Sequence, residues 1–204
     1  MKLSAIIFDL NGTVLDDEDI YGYAFNKVLR TLGVETRLTR PHMGGIGVKE
    51  NWVRFRAKYE FKTDKTDEEL VDETQKAYLE RISGVSVRPG FMGLLDFLEE
   101  KGIKTALATS NSWEVAAEVL RKLDLTESFE AIVTEEEVEN NKPAPDLFIL
   151  AAEKLEVDAS DCLVIEDAPA GIEAAKLAGM RTFHLTGNET FPKVIDHIRA
   201  NLYI

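Results

Sequence analysis

The run Ala5-Ile6-Ile7-Phe8 delivers Asp9 into a turn that reads Leu10-Asn11-Gly12-Thr13. Four consecutive apolar residues closed by a turn signal describe a strand buried on both faces. Open α/β sheets bind their ligands outside the carboxyl ends of such strands. A carboxylate at that point is held by a rigid element and faces a crevice, as a nucleophile requires. Asp-x-Asn-Gly-Thr alone reads equally as a strand followed by a turn, because Asp, Asn and Gly are common turn residues. Three further stretches downstream decide between the two.

After this strand, Asp16 to Gly33 has helical spacing (Ile20, Tyr21, Ala24, Val28, Leu29, Leu32), and Gly33 stops it. Pro41, Gly44, Gly45 and Gly47 break the next segment into loop. Helices are predicted from Val48 to Tyr59 and from Asp67 to Ile82, the latter capped by Thr66 or Asp67. No strand pattern occurs between Asp16 and Gly84. From Val85 on, strands (Ile103–Ala108, Ala131–Val133, Leu163–Glu166, Thr182–Leu185) alternate with helices (Phe91–Lys101, Trp113–Leu123, Asp146–Leu155, Pro169–Ala178, Pro192–Arg199). That alternation predicts parallel βαβ units with right-handed crossovers. The expected fold is α/β, a doubly wound Rossmann-like parallel sheet. Residues 1–15 and 85–204 form its core, and residues 16–84 form a small helical insert after the first strand.

A chain of 204 residues suffices for a core and a smaller insert. Its net charge of -13 argues against nucleic acid as a partner, since duplex binding relies on Lys and Arg. No apolar run approaches the roughly 20 residues that span a bilayer, and Met1-Lys2-Leu3-Ser4 enters the strand with no leader pattern. The expectation is a cytoplasmic protein without membrane or nucleic-acid partners, a monomer or weak dimer. The single cysteine, Cys162, opens an apolar strand and reads as a buried, inert thiol.

Each remaining stretch follows a predicted strand or precedes a helix. Thr109-Ser110-Asn111 follows Ile103–Ala108; it either binds an anion at a helix start or merely caps that helix. Lys142 precedes Pro143-Ala144-Pro145-Asp146, where prolines stiffen the loop, although a surface lysine is the ordinary alternative. Glu166-Asp167 closes Leu163–Ile165; as a pair it caps the next helix or faces the same crevice as Asp9. Together, Asp9-x-Asn11-Gly12-Thr13, Thr109-Ser110, Lys142-Pro-x-Pro-Asp and Glu166-Asp167 resemble the haloacid dehalogenase superfamily. The likeness is to its Mg-dependent phosphatases and β-phosphoglucomutase-like mutases with a helical cap, and it covers essentially the whole core.

The resemblance implies a small phosphate ester as substrate, of the sugar phosphate or phosphoglycolate class. It implies Asp9 as nucleophile, forming an aspartyl-phosphate. Thr109 and the Ser110 amide would hold the phosphate, and Lys142 would offset repulsion between Asp9 and substrate. Mg²⁺ would be held by Asp9, the Asn11 carbonyl and Asp167, with Glu166 as a ligand or through water; hard oxygens with retained waters suit this ion. The insert would be a cap that closes over the site and sets specificity through Asp17, His42, Lys49, Asn51 and Trp52.

One departure stands out. The family's phosphatases carry Asp where this chain has Asn11, and that Asp serves as general acid and base. Losing such a group costs ~10² to 10⁴ in rate. Three readings follow: an introduced residue that slows an ordinary phosphatase, a natural departure with slow dephosphorylation or another acid supplied by the cap, or a catalytically silent phosphate-binding module. The phosphatase slowed by Asn11 is the leading expectation, with a phosphosugar mutase as the second enzymatic one.

Overall fold

The structure, a computed structural model, describes residues 2–187 and 190–201; the other residues of the expected core span lie outside it. Its centre is a five-stranded sheet built from β1 (Ala5–Phe8), β4 (Lys104–Ala108), β5 (Ala131–Val133), β6 (Cys162–Glu166) and β7 (Arg181–His184). All strands are parallel, in the order β5-β4-β1-β6-β7. The chain winds outward from β1 through β4 and β5, then returns to β1's other side for β6 and β7. The order therefore reverses beside β1, and a crevice opens there at the carboxyl ends of β1 and β6.

Both faces of β1 are covered, which explains its uninterrupted apolar run. Ile6 and Phe8 join a cluster with Leu94, Leu98, Val115, Val119 and Val194. These come from α4 (Phe91–Lys101), α5 (Trp113–Lys122) and α8 (Phe191–Asn201). Ala5 and Ile7 point the other way, to Phe148, Ala151 and Ala174 on α6 (Asp146–Lys154) and α7 (Pro169–Leu177). Cys162 is fully buried in that second layer, and burial pushes its thiol up to about 11.

Between β1 and β4 the chain makes α1 (Glu18–Thr31), α2 (Val48–Lys58) and α3 (Asp67–Leu79). These pack through Phe25, Trp52, Phe55 and Tyr78, all essentially buried. Thr66 and Glu69 form a reciprocal capping box on α3. A feature absent from the sequence pattern is a two-residue antiparallel ribbon, β2 (Leu15–Asp16) with β3 (Ser86–Val87), where the chain leaves for the insert and returns. The ribbon flanks the segment from Asp16 to Gly84, which holds no strand beyond Asp16 itself; the helix expected from Asp16 starts at Glu18 because Asp16 is extended and Asp17 is the N-cap.

Candidate active site

Phe8 is level with Leu107 on one side and Ile165 on the other. Asp9 and Glu166 thus stand one residue further along adjacent strands, and Asp167 follows. One ligand oxygen from each of Asp9, Glu166 and Asp167 lies within 4.8 Å of the others. Gly12 makes this possible: its φ is +79°, and a Cβ there would lie 2.5 Å from the Asp167 carboxylate. Thr13 Oγ1 donates to Asp167 Oδ1 at 2.9 Å and orients it.

Lys142 reaches in from the loop after β5. Its ammonium is buried and donates to Asp9 Oδ1 at 2.5 Å, Glu166 Oε2 at 3.0 Å and the Ala108 carbonyl at 3.1 Å. Its chain is wedged against Phe148, with Nζ 4.9 Å from the ring centroid. Burial works against the charge, but Asp9 and Glu166 outweigh it and raise the lysine's pKa. One ammonium does not balance three carboxylates. Burial first, with Glu166 adding to it, pushes Asp9 up to about 7 against the pull of Lys142. Burial and then Asp9 push Asp167 up to about 7 as well. Surplus buried negative charge on hard oxygen donors fits a divalent cation.

Thr109 and Ser110 are buried at the end of β4. Thr109 Oγ1 accepts from the Asn111 amide at 3.2 Å. Ser110 Oγ donates to Asn141 Oδ1 at 2.5 Å, and the Lys142 amide donates to the same oxygen at 2.9 Å. The β4 turn and the lysine loop are therefore tied together.

Asn11 uses both ends of its amide. Nδ2 donates to Asp17 Oδ2 at 2.6 Å, and Oδ1 accepts from Asn111 Nδ2 at 2.7 Å. Asp17, 2% exposed, also accepts from the Gly12 amide at 3.2 Å and from Tyr78 OH at 2.6 Å. Burial pushes it up to about 6 despite those donors. Tyr21 OH donates to Asn111 Oδ1 at 2.7 Å and stacks on Tyr78.

A small cavity is lined by Asp9, Asn11, Ser110 and Asn111 from the sheet side, and from the insert side by Glu18, Tyr21, His42 and the loop Met43–Ile46 with Val48 and Asn51. Gly45, φ +75°, brings this loop against the turn after β6; a Cβ there would lie 2.5 Å from the Ala168 Cβ. The five insert residues expected from sequence divide. His42 and Asn51 line the cavity. Asn51 shapes the loop, accepting from the Met43 amide and donating to the Met43 and Gly47 carbonyls. Asp17 is behind Asn11 and does not line it. Lys49 faces solvent beside Glu68 at 3.4 Å. Trp52 is fully buried in the insert, donating to Thr74 Oγ1 at 3.0 Å. Neither Lys49 nor Trp52 lines the cavity. Sequence reading missed Asn111, Tyr21, Glu18 and Thr13: Tyr21 passed as one more apolar-face residue of a helix, Asn111 as a cap.

The haloacid dehalogenase-like hydrolase family pattern matches residues 6–185. The chain belongs to this family. A phosphorylated carbohydrates phosphatase of Thermotoga maritima is 31% identical over 196 residues, spanning 89% of this chain and 84% of that protein. The β-phosphoglucomutase of Bacillus subtilis is 31% identical over 188 residues, 87% of this chain and 81% of that one. Among solved structures, CbbY from Rhodobacter sphaeroides in complex with phosphate superposes with a TM-score of 0.81 at 27% identity, covering 92% of this chain and 88% of that one. This haloacid dehalogenase-like hydrolase is an enzyme of the phosphatase type.

Proposed function

We propose that the chain hydrolyses a monophosphate ester of a small polyol or sugar through an aspartyl-phosphate on Asp9, with Mg²⁺ as cofactor. The observation that carries this is the buried Asp9–Lys142–Glu166 contact at the carboxyl ends of adjacent strands, with Asp167 beside it. Asp9, Asp167 and the Asn11 carbonyl would hold the ion, with Glu166 bound directly or through water. When bound, Mg²⁺ neutralises phosphate charge and polarises the transferring group.

An Asp9 carboxylate oxygen attacks phosphorus and displaces the alcohol; water later attacks the aspartyl-phosphate and frees phosphate. Lys142 holds the Asp9 carboxylate oriented and offsets its repulsion from the phosphate. Thr109 Oγ1 and the Ser110 amide, in the turn that leads from β4 into α5, donate to phosphate oxygens. The helical insert acts as a cap that excludes water. Asn11 neither gives nor takes a proton, so turnover is slow. Its amide matches an acceptor on one side and a donor on the other, which supports a native departure over an introduced residue.

A mutase must grip a second phosphate far from Asp9, and the β-phosphoglucomutase likeness keeps that reading in view. Among the described residues, those lining the cavity include no lysine or arginine. That composition favours an uncharged leaving group, a sugar or polyol, over a bisphosphate or phosphoglycolate. The test is phosphate release from a panel of monophosphate esters, with and without Mg²⁺, on this chain and Asn11→Asp. Mg²⁺-dependent release, faster in the Asp form, is expected. No release by either from any ester contradicts the reading.

A further inference from the structure

With Asn11 in place, the family motif offers the departing alcohol oxygen no carboxyl at position 11, and the Lys142 ammonium is spent on Asp9, Glu166 and the Ala108 carbonyl. The cavity lining contains one arrangement that fits the task. The His42 side chain is buried, 5% exposed, and Nε2 lies 2.9 Å from Glu18 Oε2. Its ring stacks on Phe25, centroids 5.2 Å apart and 22° between planes. Two independent contacts from α1 therefore fix the imidazole. The other ring nitrogen, Nδ1, is buried and has no hydrogen-bond partner among the described residues. A buried polar nitrogen left open costs stability unless something meets it there. His42 lines the same small cavity as Asp9 and Asn11. The rival proton carriers in that lining are engaged: Tyr21 OH donates to Asn111 and is held well above its ordinary pKa by burial, and Glu18 is paired with His42 itself.

We propose that His42, oriented by Glu18, is the general acid that protonates the leaving alcohol in place of the carboxyl missing at position 11. This rests on the phosphatase reading above. With Nε2–H donating to Glu18, protonated His42 carries its second N–H at Nδ1. As the Asp9 oxygen bonds to phosphorus, the ester P–O bond breaks and its electron pair passes to the alcohol oxygen. That oxygen takes the Nδ1 proton and leaves as neutral alcohol, and His42 remains as neutral imidazole. Glu18 is a positioning residue, since it acts only through His42.

The role is tested by leaving-group dependence. Alkyl phosphates (glycerol 3-phosphate, fructose 1-phosphate, glucose 6-phosphate) need a proton on the departing oxygen, whereas 4-nitrophenyl phosphate leaves as a stable phenolate. Single-turnover release of the alcohol, with enzyme in excess and Mg²⁺ present, isolates the first step from slow dephosphorylation. His42→Gln is expected to lose ~10²-fold on alkyl esters while changing only a few-fold on the nitrophenyl ester. Glu18→Gln is expected to show the same split with a smaller loss. Equal losses on both ester types, or none, overturn the proposal while leaving the phosphatase reading standing; equal losses mark His42 as structural. No release of either kind by the unaltered chain overturns the phosphatase reading and this inference with it.

Discussion

At the scale of single residues, Lys142 decides whether the site exists. A buried ammonium between two carboxylates is stabilising only because its partners are fixed, and removing one member of such a set costs about 3–5 kcal/mol. Lys142→Met should abolish phosphate release and lower stability by about 3 kcal/mol at pH 8 in urea titrations. Part of that loss should return at pH 5, as the unpaired carboxylates take up protons. Asn11 gives the complementary case. In Asn11→Asp a carboxylate meets Asp17 acceptor to acceptor, where the amide nitrogen now sits 2.6 Å away. A shared proton restores the contact and supplies an acid beside Asp9, so phosphate release should rise by ~10². Asp9, Lys142 and Glu166-Asp167 were legible because each ends a strand or is stiffened by prolines. The Asn11–Asp17–Tyr78 and Asn111–Tyr21 contacts were not, because they join α1, α3 and the turns after β1 and β4, whose packing no spacing rule encodes.

At the scale of elements, the loop between α1 and α2 ties the insert to the core. Gly45→Ala places a Cβ where Ala168 already stands and strains a positive φ, at about 1–3 kcal/mol. If that strain falls on closure of the insert, KM rises about tenfold or more while far-UV circular dichroism is unchanged. A carboxyl pair between the core and α2 sets a pH response. Glu135, in the turn after β5, lies near Glu50 of α2, and burial, then Glu50, pushes it up to about 7 from 4.5. A carboxyl raised in the fold holds its proton more tightly when folded, so stability falls as pH rises from about 4.5 to about 7 and levels off above. Glu50→Gln removes the second cause and should make that slope shallower in denaturation at fixed pH steps. The helices and parallel strands were legible from periodicity, most boundaries shifting by one to three residues. The β2–β3 ribbon was not, since two residues per strand carry no period.

At the scale of the whole molecule, a chain of net charge -13 must attract an anionic substrate through local features. The described structure has one buried ammonium facing a three-carboxylate cluster, and a bound divalent cation would cancel the surplus negative charge there. Saturating Mg²⁺ at about 100 times its dissociation constant should stabilise the fold by about 2.7 kcal/mol. In thermal melts that is a rise of several degrees, absent in Asp167→Asn.

In the proposed reaction the phosphoryl group passes through a covalent bond to Asp9, and slow dephosphorylation beside Asn11 would make that species observable. The direct measurement is intact mass after acid quench, with the chain incubated with a sugar monophosphate and Mg²⁺. Gain of one phosphoryl group, mapped by peptide analysis to Asp9 and absent in Asp9→Asn, is the result expected. Phosphate release with no phosphoryl group on Asp9 at any quench time, or the same gain in Asp9→Asn, would contradict it.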